Sequence, residues 1–517
     1  MPDGNRRGAG PEKKVQKASV LRNHYERISA FRFRELSVVT GGRAVEIVTT
    51  LAAMAWVERS CGQAGLGIYS YVCSLYLIAA QLSEWGLPHY LERETALRSE
   101  SRSGPDAVLL DAFRAVLMLG ALAAVLLVAS SAYDTAHTRI EEKMGAYLLA
   151  ALALPLRNLN HLRLALLNGL GRHEEAAKMR VTKHLVFLAA IWVLLGLKVQ
   201  PSYLIGSFLL AELYLAMAGR RKQKLPPFRA AFARLSSLRG AVQEGSRFVF
   251  TDDPIGTILY VDMLILGFFI SSWDLGAYAE ASALARLFLL IPAGVLPVLR
   301  RKFCVLAAQG DRLGASLAAH QTAARLFALH ALLAIYMVYF FPGALHLFFK
   351  PAGEELLSFR VFEIFLPGLL FAVSAMALEP LYEAVGKADS LRKLMGTVLG
   401  VNFLLNVYLI PVAGLIGAAL ATTLSMLLCF LLLCWGLERP YRGNMGIYLL
   451  AGGGAYLVCG MVLSLGAGAM VSASLFPILF GGMLYMIGFF DEEAIAVQYE
   501  KGGKGCGRRE EIDRPQA

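Results

Sequence analysis

The sequence has 517 residues, of which 56% are apolar and only 17% are charged, and its mean hydropathy is +0.54. This composition excludes an ordinary soluble globular domain, in which about 25% of residues are charged. The formal net charge is +11. Because no polar connection is long enough to form a folded soluble domain, nucleic acid is excluded as a partner. The chain is predicted to be an all-α polytopic membrane protein.

Apolar runs of about 20 residues, enough to cross about 30 Å of hydrocarbon, recur from residue 36 to residue 490. They predict about fourteen transmembrane helices. The predicted spans are 36–56, 65–91, 107–130, 145–167, 182–199, 201–219, 247–270, 275–299, 318–349, 359–386, 391–411, 414–437, 445–466 and 470–490.

Lysine and arginine fall in alternate connections between these spans. The N-terminal segment and every second connection hold 38 of the 50 basic residues, whereas the opposite connections hold 6 and the spans hold the remaining 6. The positive-inside rule therefore predicts that both termini are cytoplasmic. The basic segment 220–246 is interpreted as a cytoplasmic linker that is attracted to anionic lipid headgroups.

This linker divides the first twelve spans into two sets of six that share weak sequence similarity. Each half places Leu-Gly-x-Tyr at the outer start of its second helix, with Gly67 in the first half and Gly276 in the second. Six spans return the chain to its starting side, so the repeats would be parallel and would leave a cleft between two lobes. The predicted organisation is a basic N-terminal segment (1–35), an N-lobe (36–219), the linker (220–246), a C-lobe (247–437), an added helix pair (438–490) and a cytoplasmic tail (491–517).

The fourth predicted span contains Arg157, Asn160 and His161 at i, i+3 and i+4, which places them on one face of a helix. A charged side chain at the bilayer centre costs about 2.5 to 3.5 kcal/mol, so this face is predicted to border a wet, protein-lined space. Arg163 lies off that face, nearer the cytoplasmic end, where it is expected to extend its guanidinium to the interface.

Other spans also contain polar side chains. Arg43 and Glu46 stand three residues apart and are expected to pair, and Asn402 and Asn406 share one helix face. Two interpretations stay open for each group: a clamp between helices, or a functional site that both halves contribute to. The remaining polar groups in the spans include Asp252, Asp253, Asp262, Glu280, Arg286, Arg325, His330, Glu363, Glu379 and Glu383.

Motifs for catalysis or metal binding are missing from the sequence. The nine histidines show no HExxH pattern, the seven cysteines show no CxxC spacing, and no glycine loop matches a phosphate cradle. We therefore expect no catalytic residue, no metal site and no cofactor other than a coupling proton or sodium ion.

The segment 378–425 carries a distinctive succession of features. A helix ends in Gly386 and Lys387, the next contains Asn402 and Asn406 and ends in Leu-Ile-Pro, and Gly-x-x-Gly-Ala-Ala-x-Ala-Thr follows. The second span adds GLGIYSYV and EWGLPHYLERETA. Over residues 33–438 the chain resembles the polysaccharide transporters, the Wzx-type flippases of lipid-linked oligosaccharides in the MOP superfamily, which also contains MurJ and the MATE exporters.

The resemblance implies two lobes around a cavity that opens alternately to each side of a bacterial cytoplasmic membrane. The implied substrate is a polyprenyl-diphosphate-linked oligosaccharide, and the implied partners are membrane lipids and the polymerase and glycosyltransferases of the same surface-polysaccharide pathway. The residues expected to bind substrate are Arg43, Arg157, Asn160, His161, Arg286 and Arg325. Those expected to be charge partners or to bind a coupling ion are Glu46, Asp262 and Glu280.

Two alternatives remain. A MATE-like exporter of cationic compounds would need a cavity dominated by acids, whereas the candidate cavity residues of the first half, Arg43 and Arg157 against Glu46, include more arginines than acids. A membrane glycosyltransferase or polymerase would need a sizeable outer loop, and the longest predicted outer connection spans only residues 131–144.

Overall fold

The computed structural model describes residues 33–100, 106–137, 144–220, 238–249, 254–308, 310–349 and 355–436. These residues form helices and short connections, with no strand among them. The N-terminal segment up to residue 32, most of the basic linker, Asp252 and Asp253, the predicted helix pair at 438–490 and the tail lie outside the described residues. We refer below to residues 33–220 as the N-half and to residues 254–436 as the C-half.

The helices of the described residues follow the predicted apolar runs. In the N-half they are α1 (Phe33–Glu84), α2 (Leu87–Glu100), α3 (Asp106–His137), α4 (Met144–Gly169), α5 (His173–Gly196) and α6 (Gly206–Arg220). The linker contributes α7 (Leu238–Gly245). The C-half contains α8 (Pro254–Phe269), α9 (Ser272–Phe288), α10 (Leu290–Ala308), α11 (Arg312–Phe348), α12 (Glu355–Ala384) and α13 (Ala388–Gly436).

Two long helices, α1 and α13, each turn back on themselves at a glycine. Gly62 has φ 75° in α1 and Gly414 has φ 55° in α13, a region that residues with a Cβ rarely adopt. A Cβ placed on Gly417 would overlap the carbonyl oxygen of Leu409, although eight residues of straight helix would separate the two by about 12 Å. Each helix therefore consists of two arms that run in opposite directions.

Seven described helices are long and apolar enough to cross a membrane, and the bent pair Ser272–Phe288 and Leu290–Leu296, with an angle of 49°, makes an eighth. The bend precedes Pro292, one of the prolines at which a kink is expected. The first twelve predicted spans each overlap a described helix or helix arm. The number of membrane crossings in the whole chain stays a prediction.

The helix body has two ends. At the end that we call the linker end, the turn between α1 and α2 packs on the linker: a Cβ on Gly86, which has φ +70°, would overlap the carbonyl oxygen of Gly245. The other end, which we call the distal end, contains the turn at Gly62 and the start of α9.

Helix α1 joins the two halves of the chain. Its first arm reaches α10, where a Cβ on Gly294 would overlap the side chain of Thr40. Its second arm contacts α9 at Gly67 and α8 at Gln81, whose side-chain oxygen accepts a hydrogen bond from Thr257 at 2.6 Å. The division into two lobes therefore stays a prediction, but the contact surface between the halves is now defined: it is formed by α1 on one side and by α8, α9 and α10 on the other.

Candidate functional site

Glu46 of α1 is surrounded by cations. Its carboxylate accepts a hydrogen bond from Arg43 Nη1 at 3.1 Å, and Arg180 Nε of α5 lies 3.6 Å away. His184 Nε2, one turn further along α5, lies 3.7 Å from the other carboxylate oxygen. The predicted pairing of Arg43 with Glu46 is thereby confirmed. Both side chains keep about a third of their surface exposed, 33% and 30% respectively, so the pair borders an accessible space.

A second acid, Glu212 of α6, is fully buried and lies deeper in the N-half. Lys183 Nζ of α5 approaches its carboxylate to 2.6 Å, and Asn160 Nδ2 of α4 donates to it at 2.8 Å. The side-chain oxygen of Asn160 in turn accepts from Arg163 Nη1 at 3.1 Å. Three helices are joined here by charged hydrogen bonds, which compensates for the cost of burying these groups.

A third acid, Glu84, lies at the end of the second arm of α1. Arg157 Nη1 donates to one of its carboxylate oxygens at 3.2 Å, and His161 Nδ1 lies 2.8 Å from the other. Arg157 and His161 keep 18% and 27% of their side-chain surface exposed, whereas Glu84 keeps 5%. The acid is thus buried behind its two partners, and the guanidinium and imidazole are the accessible groups.

These three centres form one group, which we call the N-half network. Arg157 is also close enough to Glu212 to interact with it electrostatically, which connects the centre at Glu84 with that at Glu212. Lys183 acts on both Glu46 and Glu212. The network contains five permanent cations and three acids, so it has two more positive than negative charges before its histidines are counted. Its charged members are Arg43, Arg157, Arg163, Arg180 and Lys183 against Glu46, Glu84 and Glu212.

Two expectations about α4 were wrong. Asn160 does not border an accessible space as Arg157 and His161 do, because it is buried at 1% exposure and its side chain faces Glu212. Arg163 does not extend to the interface: it is 2% exposed and also donates to the carbonyl oxygen of Ala216 at 3.4 Å. The physical reason in both cases is Glu212, which supplies an acid inside the helix bundle.

Sequence reasoning missed five members of the N-half network. The fifth span was predicted to start at residue 182, so that Arg180 lay before it and Lys183 and His184 lay at its first turn. The helix α5 instead begins at His173. Arg180 is therefore about 10 Å along the helix from its first residue. The sequence spacing could have placed Arg180 and His184 together, because residues four apart lie on the same face of a helix. Glu84 and Glu212 carried no such signal, since their partners lie on other helices.

The C-half has a separate polar centre at Asp262 of α8, which is fully buried. Tyr278 of α9 donates to its carboxylate at 2.6 Å, Asn402 at 3.2 Å and Asn406 at 2.6 Å, and Thr422 donates as well. The predicted shared face of Asn402 and Asn406 is confirmed. All four of these donors are uncharged, so this acid is held by hydrogen bonds from three other helix segments and not by an ion pair.

The other expected site residues lie apart from both centres. Arg286 Nη1 donates to the hydroxyl of Tyr260 at 2.8 Å, and its guanidinium carbon lies 4.5 Å from the centre of the Tyr260 ring, a cation–π contact. Glu280 of α9 accepts from Ser358 of α12 at 2.7 Å. The polar residues are therefore arranged as several distinct groups, and their convergence on a single vestibule stays a prediction.

Arg325 of α11 is exposed and lies near Lys302 of α10. Lys302 follows the predicted end of the eighth span at residue 299, where burial and the positive charge of Arg325 lower the pKa of its ammonium group. Within the described part of the chain, no three His, Cys, Asp or Glu side chains are placed so that they could hold a metal ion.

Comparisons with known proteins identify the chain's relatives. Residues 44–300 match the model of the family described as polysaccharide biosynthesis protein. No curated protein matches the sequence. Among solved structures, the lipid II flippase MurJ in an inward closed conformation aligns with a TM-score of 0.67 and 13% identity, covering 87% of this chain and 98% of MurJ.

Two further structures share the fold. An outward-facing multidrug resistance transporter of the MATE family aligns with a TM-score of 0.58 and 14% identity over 78% of this chain and 93% of its own. A MOP superfamily transporter from Pyrococcus furiosus, described as having a binding pocket of reverse polarity, aligns with a TM-score of 0.56 and 14% identity over 78% and 94%. At these identities the likeness establishes the fold and leaves the substrate open.

The helices of the described residues and these alignments show a multi-pass membrane protein with the fold of MOP superfamily transporters. The match of residues 44–300 to the polysaccharide biosynthesis protein family agrees with the resemblance to the Wzx-type flippases.

Proposed function

We propose that the protein moves a polyprenyl-diphosphate-linked oligosaccharide from the inner to the outer leaflet of the bacterial cytoplasmic membrane, for surface polysaccharide biosynthesis. The two lobes would alternate between openings to each side, and the polyprenyl tail would stay in lipid. The protein would supply binding and orientation without catalysis. The polymerase and glycosyltransferases of the same pathway would be its partners.

The observation that supports this proposal is the surplus of positive charge in the N-half network. A diphosphate is an anion that guanidinium groups bind with charge-assisted hydrogen bonds. Arg43 and Arg157 keep 33% and 18% of their side-chain surface exposed at the depth of the apolar helices, and Lys183 keeps 18%.

The surroundings of the three candidate acids support different roles for them. Glu46 faces Arg43, Arg180 and His184, and we assign it the role of charge partner. Asp262 and Glu280 accept hydrogen bonds from uncharged donors among the described residues. A proton or sodium ion at either acid would neutralise a buried charge, so we propose these two positions for coupling. Substrate roles for Asn160, His161, Arg286 and Arg325 also remain proposals.

The proposal is tested by separating substrate binding from helix clamping at Arg157. In cells that lack the chromosomal gene, Arg157→Ala is expected to insert into the membrane at the wild-type level and to abolish export, so that lipid-linked oligosaccharide accumulates on the inner leaflet. Arg172→Ala is the matched control, because Arg172 pairs with Glu175 on the surface and is 47% exposed. Full complementation by Arg157→Ala would show that the site is assigned wrongly.

A double variant distinguishes substrate binding by Arg157 from a purely structural role as the charge partner of Glu84. If Arg157 only neutralises Glu84, the Glu84→Gln/Arg157→Ala pair removes both charges and should recover export. If Arg157 binds the diphosphate, the double variant is expected to stay inactive. An exporter of cationic compounds would instead change drug resistance without accumulation of lipid-linked oligosaccharide, and a glycosyltransferase would alter the glycan itself.

A further inference from the structure

The basic linker contains a segment, residues 238–249, that contacts both halves of the protein. We call it the docked segment; it consists of α7 and the short turn that follows it. Helix α7 packs on α2 and α3 of the N-half, whereas the turn packs on α2 and on the start of α13 in the C-half. The two contact surfaces differ in their chemistry, and this difference indicates which of them can separate.

The contact of the docked segment with the N-half is apolar and tight. Ala241 is 5% exposed and belongs to a small hydrophobic core that α2, α3 and α4 form. Phe248 is 2% exposed and stacks on the ring of His89 in α2, with 6.3 Å between the ring centres. At Gly86 the backbones touch, because a Cβ there would overlap the carbonyl oxygen of Gly245. Separation would expose buried apolar side chains to water, so we expect this contact to persist.

The contact with the C-half consists of polar groups near the surface. Arg392 Nη1 of α13 donates to the carbonyl oxygen and to the hydroxyl oxygen of Ser246, at 3.3 Å each. Asp389 of α13 lies 3.7 Å from Arg247 Nε and 3.5 Å from Arg392 Nη2, and Arg247 also pairs with Glu244 of its own segment at 2.8 Å. We call the contact of Ser246 and Arg247 with Asp389 and Arg392 the ionic latch. Its three charged side chains are 35% to 55% exposed, so water and salt screen their attraction.

The length of the chain after the docked segment allows the C-half to move away from it. Five Cα–Cα steps join Val249 to Pro254, the first residue of α8. An extended chain covers at most about 3.6 Å for each step, so these two residues can be up to about 18 Å apart. The docked segment can therefore stay on the N-half while α8 and α13 move with the C-half.

We propose that the docked segment moves as a part of the N-half, and that the ionic latch holds the C-half against it while the linker end is closed. The charge pattern predicts that this end faces the cytoplasm. The inference rests on the proposed function, because it assumes that the two halves separate at the linker end during transport. An exposed ion pair shifts an equilibrium by at most about fivefold. The latch therefore favours the closed arrangement without making it permanent.

The test measures two distances in the full-length protein, reconstituted in lipid nanodiscs and without its seven cysteines. One pair of spin labels joins Gln243, an exposed residue of the docked segment, to Leu170 of the N-half, which is 40% exposed. The other pair joins Gln243 to Gly396 of α13, where a Cβ would meet none of the described residues within 4 Å. Pulsed electron paramagnetic resonance gives both distances at about 0.1 M and about 1 M salt, between which the screening length falls from about 10 Å to about 3 Å. We expect high salt to increase the population with a long distance from Gln243 to Gly396 and to leave the distance to Leu170 unchanged.

Three variants test the charges of the latch. Arg247→Asp places an acid opposite Asp389 and is expected to increase the population with the long distance to α13 by about fivefold at low salt. The double variant Arg247→Asp/Asp389→Arg restores opposite charges and is expected to return the distances toward those of the wild type. Lys393→Ala is the matched control, because Lys393 is exposed and follows Arg392 directly; it is expected to behave as the wild type does.

The latch proposal is overturned if the distance from Gln243 to Gly396 is unchanged in high salt or in Arg247→Asp. It is also overturned if the distance from Gln243 to Leu170 lengthens instead, because the docked segment would then move with the C-half. If Arg247→Asp fails to fold, the salt dependence of the wild type still decides. The distances are measured without a glycolipid, so their failure leaves the export assay of Arg157→Ala unaffected. A failed export assay together with salt-dependent distances would reject the substrate and keep the latch.

Discussion

Removal of the carboxylate of Asp262 should destabilise the C-half more than removal of any one of its donors. Asp262→Ala leaves four donors without their acceptor, on Tyr278, Asn402, Asn406 and Thr422. Hydrogen bonds between transmembrane helices contribute about 0.6 kcal/mol each in double-mutant cycles, so the four together amount to about 2.4 kcal/mol. Thr422→Val, which removes one donor, should cost about 0.6 kcal/mol.

The assay is thermal unfolding of the purified full-length protein in one detergent, with the fraction that remains monodisperse as the readout. Asp262→Asn should fall between the other two variants, because the amide retains one acceptor oxygen but turns an NH₂ group toward the donors. The expected order of melting temperatures is wild type, Thr422→Val, Asp262→Asn and then Asp262→Ala. If Asp262→Ala melts at or above the wild-type temperature, the donors have other partners and the carboxylate does not hold these helices together.

Two further predictions concern the N-half. Glu212→Gln should destabilise the protein by about 3 kcal/mol or more, because Lys183 loses its buried charge partner. The melting temperature of the purified protein measures this loss. If the double variant Glu212→Gln/Lys183→Met recovers the wild-type stability, the lost ion pair is the cause. Gly86→Ala should lower the yield of folded protein, because Gly86 has a φ of +70° and the new Cβ would overlap the carbonyl oxygen of Gly245. Size-exclusion chromatography of the extracted protein measures the yield. A wild-type profile would contradict the packing of the linker on the α1–α2 turn.

Groups within one helix were the part of the candidate site that the sequence predicted well. Arg43 with Glu46 and Asn402 with Asn406 are three and four residues apart, so helical periodicity alone places each pair on one face. Their contacts in the structure, including the 3.1 Å ion pair of Arg43, agree with that spacing. The same reasoning failed for Asn160, which is buried against Glu212 although its helix face was expected to border an accessible space.

Helix ends and partners on other helices were not predictable in this way. The start of α5 was placed nine residues too late, because the basic segment from Arg172 to Lys183 has the composition of a cytoplasmic connection. Its cations are nonetheless stable within a helix, since Glu46 and Glu212 neutralise them from α1 and α6. Composition cannot reveal such compensation, because it depends on groups that are far away in the chain.

By itself the sequence determined the class of protein, the order of the apolar helices and the residues that share a helix face. The physical reason is that hydrocarbon thickness and helical periodicity act locally, within about 20 consecutive residues. Only the tertiary structure decided which faces meet. Glu84 binds Arg157 across 73 residues, and Asp262 binds Asn402 across 140. Gly67 lies against Gly276 in the other half of the chain, and no local pattern specifies that contact.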